Sequence, residues 1–274
     1  MIALDCSLRM NRQLIILFYN KKEERMRHRN SVEFEVMGEY GLFSDPVTRV
    51  GGEKFSYQVP TYEALKGILH SIYWKPTIIW IIDEARIMNP IQTETKGIRP
   101  IKYSSDKNDL SYYTYLKKCR YQVRAHFIWN ENRPELKEDR NENKHHNIAR
   151  RMIERGGRRD IFLGTRECQG YVIPCVFGDG EGAYDEIEEL NFGMMYHGIT
   201  YADEAYSEET RGKMSVRLWQ AVMRGGVISF VPPWECIHRP IRKMDIKKFD
   251  EASGNFSMID KEGGGMDVMD ESAL

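Results

Sequence analysis

Residues 60–82 read PTYEALKGILHSIYWKPTIIWII. Leu65, Ile68, Leu69 and Ile72 recur at helical spacing, which predicts an amphipathic helix over residues 60–73 with one apolar face. Pro76 cannot continue that helix and ends it. The next five residues, Ile78, Ile79, Trp80, Ile81 and Ile82, have no polar break. So short a run reads as a buried strand. A helix leading directly into a buried strand is the middle of a β-α-β arrangement, so the flanks decide the fold.

Upstream, Val32, Phe34 and Val36 alternate with Glu33 and Glu35, the pattern of a half-buried strand. A long loop broken at Gly51-Gly52 follows. Downstream, Tyr121, Val123, Ala125 and Phe127 alternate with Gln122, Arg124 and His126, giving a third strand. Asn143 can cap a helix running to residue 155, with Ile148, Met152 and Ile153 inward and Gly156 at its end. Residues 171–177 form a fourth strand interrupted by Pro174. The order β-α-β-β-α-β is the ferredoxin-like, RRM-like split motif of an α+β protein. Its sheet is a common RNA platform, yet no RNP1-type aromatic signature is present, so standard RRM recognition is not supported.

Beyond residue 178, strand-like pieces at 192–200, 216–222 and 227–231 suggest a small antiparallel β domain over residues 179–243. The flanks differ from both. Residues 1–30 carry the polar run 21–30 and a second candidate start at Met26, and are expected to be a disordered leader. Residues 244–274 are acidic, contain Gly263, Gly264 and Gly265, and are expected to be a solvated tail.

The net charge of -1 conceals segregation. Residues 86–166 hold 19 Lys/Arg against 10 Asp/Glu, while residues 167–210 hold 11 acidic and no Lys or Arg. A basic middle between acidic flanks fits a polyanion held on one face, and fits equally a set of solvated faces. Five scattered cysteines, Cys6, Cys119, Cys168, Cys175 and Cys236, make no CxxC pair or zinc spacing, which fits a reducing cytoplasm. No run is long and apolar enough for a transmembrane helix, so no membrane partner is expected.

Three strings could carry chemistry. Lys144-His145-His146 falls near a helix start, where free N–H groups and the dipole favour a phosphate and histidine can trade a proton near neutral pH. RNA cleavage needs little more, because the 2′-hydroxyl is its own nucleophile. The same string also reads as an inert polar helix start. Tyr73, at the other helix's end, can pack its ring and keep its hydroxyl wet, or simply belong to the core. In residues 156–168, glycines allow close approach, and Arg158, Arg159 and Arg166 can grip phosphates or merely decorate a basic turn. His126, His145, His146 and His197 lack metal-ligand spacing, so neither metal nor cofactor is expected.

Residues 51–57 (GGEKFSY), 60–68 (PTYEALKGI), 71–76 (SIYWKP) and 156–170 match one family collinearly. Residues 31–244 resemble the type I-C CRISPR-associated endoribonucleases, the d-type (also called c-type) members of the fifth Cas family, within the RAMP superfamily. The resemblance implies a RAMP ferredoxin-like domain over residues 31–178, followed by the small β domain. It implies metal-free cutting of CRISPR repeat RNA at the base of its hairpin, then retention on the 5′ handle of the guide RNA. The partners implied are the backbone and large subunits of a type I-C Cascade complex, with an isolated protein that is monomeric and cytoplasmic.

The family's catalytic tyrosine, lysine and histidine fall on Tyr73, Lys144 and His145. Arg158, Arg159, Arg166, Lys75 and His146 are the implied RNA-binding residues. His146 departs from the expected pattern, which leaves open which histidine transfers the proton. In the implied mechanism His145 is general acid or base and Lys144 offsets phosphorane charge. Tyr73 orients the 2′-hydroxyl or shares in proton transfer; as a base it would need a nearby cation to lower its pKa. The products would be a 2′,3′-cyclic phosphate and a 5′-hydroxyl. The rival reading is a subunit that binds the 5′ handle without cutting.

Overall fold

The computed structural model of the chain describes residues 29–46, 48, 53–101 and 109–246. The expected leader up to residue 28, the Gly51-Gly52 break and the tail from residue 247 lie outside the described residues. In chain order the elements are β1 (Val32–Gly41), β2 (Lys54–Phe55), α1 (Tyr62–Ile72), β3 (Ile78–Ile87), β4 (Thr93–Ile98) and β5 (Ser111–Trp129). There follow α2 (Glu142–Glu154), β6 (Ile161–Phe162), β7 (Gln169–Pro174), β8 (Leu190–Thr200), β9 (Lys213–Arg224), β10 (Val227–Ser229) and β11 (Ile237–Lys243).

The strand order β3-β5-β1-β7 at the centre is that of a ferredoxin-like sheet. All three pairings are antiparallel, with Trp80 opposite Phe127, Phe34 opposite Val123 and Val36 opposite Val172. Phe34, Val36, Trp80, Val123 and Phe127 are buried in one core with Leu65, Leu69 and Ile72 of α1 and Ala149 and Ile153 of α2. Each large aliphatic side chain contributes about 1.5–3 kcal/mol by leaving water.

Several strands outrun their sequence patterns. β5 begins ten residues before the alternation at Tyr121 and bends at Lys118, whose φ is 51°. Its first half pairs with β4, where residues alternate between exposed and half-buried without an apolar stripe. The cap of α2 is Asn141, whose side chain accepts from the Lys144 N–H at 3.0 Å; Asn143, the expected cap, lies inside the helix. Both asparagines are capable caps, and the 3-10 turn Pro134–Asp139 decides between them by delivering the chain one step earlier.

The C-terminal strands are not separate from this sheet. β10 pairs with β3, Ile228 opposite Ala85, and β9 carries β8, β10 and β11. The sheet face away from the helices is filled on β1, β3 and β5 by paired charges. Arg124 bridges Glu33 and Glu84, Arg120 holds Glu35, and Arg86 holds Asp185. This explains the missing RNP1 signature: the platform position is used for ion pairs. It also explains part of the charge segregation, because Asp185, Asp203 and Glu204 of the acidic stretch meet Arg86, Arg133 and Lys66 of the same chain.

Candidate active site

α1 starts at Thr61, whose hydroxyl accepts from the Ala64 N–H at 3.2 Å. It ends where Tyr73 turns extended, with φ -157° and ψ 124°, while the Tyr73 N–H still reaches the Leu69 carbonyl at 2.8 Å. The Trp80 indole donates to the Tyr73 carbonyl at 2.8 Å. The backbone of Tyr73 is thus pinned from the helix and from β3. On the facing side, the 3-10 turn delivers Asp139 and the cap at Asn141 launches α2, so that Lys144 and His145 lie in its first turn.

These elements bring Tyr73 and His145 together, with 2.7 Å between the Tyr73 hydroxyl and His145 Nδ1. His145 Nε2 lies 2.8 Å from the backbone carbonyl of Asp139. A carbonyl only accepts, so Nε2 carries the proton. In the neutral ring Nδ1 is then an acceptor and takes the Tyr73 proton. The rings of Phe127 and Trp129 stand edge-on to the imidazole, and His145 is completely buried.

The Asp139 carboxylate lies 3.5 Å from Nε2, accepts from Thr77 Oγ1 at 2.7 Å and from Lys144 Nζ at 2.5 Å. Burial opposes its ionisation, but the Lys144 and Thr77 hydrogen bonds, with the electrostatic influence of the neighbouring imidazole and of the Lys144 ammonium, hold it below the usual carboxylate range. Tyr73 moves the other way. Burial, reinforced by Asp139, pushes its hydroxyl up to about 12, against a smaller opposing influence from Arg158. The cation-assisted phenolate contemplated from the sequence is therefore not what this site builds. Tyr73 is a neutral donor to a histidine, backed by a carboxylate.

The structure places Tyr73, Lys144 and His145 in one cluster with Asp139 and Thr77, which no local pattern singled out. Arg158 and Arg159 join from the turn after α2, because both their N–H groups bond the Ser71 carbonyl at 3.1 and 3.0 Å. Lys75 is exposed two residues past Tyr73. His146 does not join. It projects from another side of α2, with Nε2 donating to the Ser31 carbonyl at 3.0 Å, and lines a cavity of about 520 Å³ with Arg29, Arg150 and Glu154. Arg166 is exposed on the β6–β7 turn, which is tied to Leu42 past the end of β1. Among the described residues, no three His, Cys, Asp or Glu side chains converge as metal ligands, and no helix is long and apolar enough to cross a membrane.

Residues 31–231 match the model of a family described as CRISPR-associated protein, Cas5d type. Two curated relatives carry the name CRISPR pre-crRNA endoribonuclease Cas5d. That of Mannheimia succiniciproducens is 39% identical over 66 residues, 24% of this chain and 28% of the relative's length. That of Thermus thermophilus is 29% identical over 183 residues, 63% of this chain and 75% of the relative. A crystal structure of a CRISPR-associated protein superimposes with a TM-score of 0.64 at 35% identity, over 76% of this chain and 96% of the other. A functionally uncharacterized protein from Streptococcus mutans gives 0.63 at 37% identity, with the same coverage. With the whole ferredoxin-like core inside the family match, the chain belongs to the Cas5d family of CRISPR-associated proteins.

Proposed function

We propose that this protein is an endoribonuclease that cuts CRISPR repeat RNA at the base of the repeat hairpin. It uses the RNA's own 2′-hydroxyl and then stays on the 5′ handle of the mature guide within a type I-C Cascade complex. The names of its curated relatives support the substrate class. The observation that carries the chemistry is the 2.7 Å contact between the Tyr73 hydroxyl and His145 Nδ1, with the tautomer set by the Asp139 carbonyl.

His145 is completely buried, whereas Tyr73 keeps 3% of its surface exposed, so Tyr73 is assigned the place between the RNA and the imidazole. The 2′-hydroxyl gives its proton to the Tyr73 oxygen as Tyr73 passes its own to Nδ1. Neither step needs a free phenolate, consistent with a hydroxyl pushed up to about 12. The resulting imidazolium keeps Nε2–H on the Asp139 carbonyl and lies beside the Asp139 carboxylate, which stabilises the new charge. The 2′-oxygen attacks phosphorus, the bond to the 5′-oxygen breaks, and the leaving oxygen takes a proton from solvent. Lys144, half-exposed at the helix N-terminus, offsets charge on the phosphorane. The products are a 2′,3′-cyclic phosphate and a 5′-hydroxyl, formed without a metal ion.

The test is incubation of the purified protein with repeat RNA in excess EDTA, read on a denaturing gel with end-group analysis. One cut at the hairpin base leaving a cyclic phosphate is expected. Tight retention of uncut RNA would instead make the protein a handle-binding subunit.

A further inference from the structure

The chain leaves two tryptophans half out of water, Trp74 at 42% and Trp234 at 46% exposure. Their surroundings differ. Trp234 packs against Tyr206 at the rim of a cavity that carries Glu208 and Glu209 together with Lys213. Trp74 follows Tyr73, and in extended backbone consecutive side chains point to opposite sides, so Tyr73 turns inward and Trp74 outward. Lys75 is its neighbour in sequence, and the turn bearing Arg158 and Arg159 is bonded to Ser71, three residues back. All three cations are exposed, and among the described residues no carboxylate lies within ion-pair distance of any of them. The His70 ring, one helical turn earlier, supports the indole at 6.3 Å between centroids. Burial, assisted by Lys66, lowers the His70 pKa to about 3, so the support is uncharged near neutrality.

An exposed indole close in the chain to exposed cations is a combination that binds single-stranded nucleic acid. Phosphates meet the charges while an unpaired base lies on the ring. We infer that Trp74 is the stacking platform for an unpaired base next to the cut, with Lys75, Arg158 and Arg159 holding the flanking phosphates. This rests on the reading of the protein as an RNA-binding endoribonuclease and adds a positioning residue to it. Stacking on Trp74 would anchor the strand one residue along the chain from Tyr73 without itself moving a proton.

The test uses the full chain and repeat RNA carrying a 2′-deoxy nucleotide at the cut, so that binding is read without turnover, with unmodified RNA cleaved in parallel. Base–aromatic stacking is worth about 1–3 kcal/mol. Trp74→Ala should therefore weaken RNA binding roughly 5- to 150-fold. Trp74→Phe should retain most of the affinity, which separates loss of the ring from loss of the fold. RNA should quench the emission component present in the wild type and missing from Trp74→Phe, and Trp234→Phe should leave both affinity and quenching in place. Wild-type affinity and full quenching in Trp74→Ala would overturn the stacking role and leave the nuclease reading standing. Quenching at Trp74 without cleavage of unmodified RNA would uphold stacking while the nuclease reading fails. Absence of RNA binding by the wild type would overturn both.

Discussion

Helix α1 carries a tyrosine–histidine pair at each end, about 16 Å apart along its axis. At the start, Tyr62 stacks on His197 with 4.0 Å between ring centroids. At the finish, Tyr73 donates to His145. Both histidines are completely buried, and both place Nε2 on a backbone carbonyl, Val231 for one and Asp139 for the other. The difference is the charge beside them. His197 Nδ1 accepts from Arg217 at 3.1 Å, and burial together with that guanidinium lowers its pKa to about 3. It can neither take a proton near neutrality nor receive one from a partner that never lets go. His145 Nδ1 faces a hydroxyl with a proton to give, and a carboxylate waits beside its other nitrogen. The same two residue types thus stand beside a cation at one end of the helix and beside an anion at the other, where the proposed mechanism needs a proton acceptor.

The strongest way to break this contrast is to remove the proton path. Tyr73→Phe or His145→Ala should slow cleavage of repeat RNA about 10²- to 10⁴-fold, measured in single turnover under EDTA. Tyr62→Phe should leave that rate unchanged. Equal losses from both tyrosines would mean that neither end is special.

Arg217 is completely buried and bonds His197, Thr200 and Glu63. Arg217→Met leaves those groups without a partner and should cost about 3–5 kcal/mol in urea unfolding. The cleavage rate of the folded fraction should persist.

Asp139→Asn keeps the backbone carbonyl that orients His145 but removes the charge. A cleavage rate lowered about ten- to a hundredfold is expected, matching the loss of one charge-assisted hydrogen bond. An unchanged rate would reduce Asp139 to a backbone contact.

Acid should act on His197 through linkage. His197 and His70 both have folded pKa values of about 3, below the unfolded value near 6.5. The unfolded chain therefore binds protons first as pH falls. Their contribution is fully present above about pH 6.5 and declines toward pH 3 by up to about 1.4 kcal/mol per pH unit for each histidine. His197→Gln should flatten this slope in unfolding titrations. A slope that is unchanged would show that His197 is not the group excluding the proton. The smallest effect belongs to Asn141→Ala, which removes the α2 cap and should cost about 1 kcal/mol of stability.

The order of core elements was legible because it is written in local periodicity. The spacing from Leu65 to Ile72 and the alternations at Val32 and Tyr121 each report one buried face. Such patterns fail where a strand has no buried stripe, as in β4 and the first half of β5, or is almost wholly exposed, as in β11. They also hid the pairing of β10 with β3, since a hydrogen-bonded edge leaves no mark on residue type.

At the site, the resemblance singled out Tyr73, Lys144 and His145, and the fold brings the three together. It also grouped His146 and Arg166 with the RNA-binding residues, although the fold turns one to another side of α2 and puts the other on a separate turn. Sequence by itself determined which face of each periodic element would be buried, because hydrophobic spacing depends on neighbours a few positions away. Only the tertiary structure decided who faces whom. Tyr73 and His145 are 72 residues apart, Thr77 and Asp139 are 62, and His197 meets Arg217 across β8 and β9. The proton affinity of a buried side chain depends on the charge a few ångströms away, and that neighbour is set by chain folding rather than by chain order.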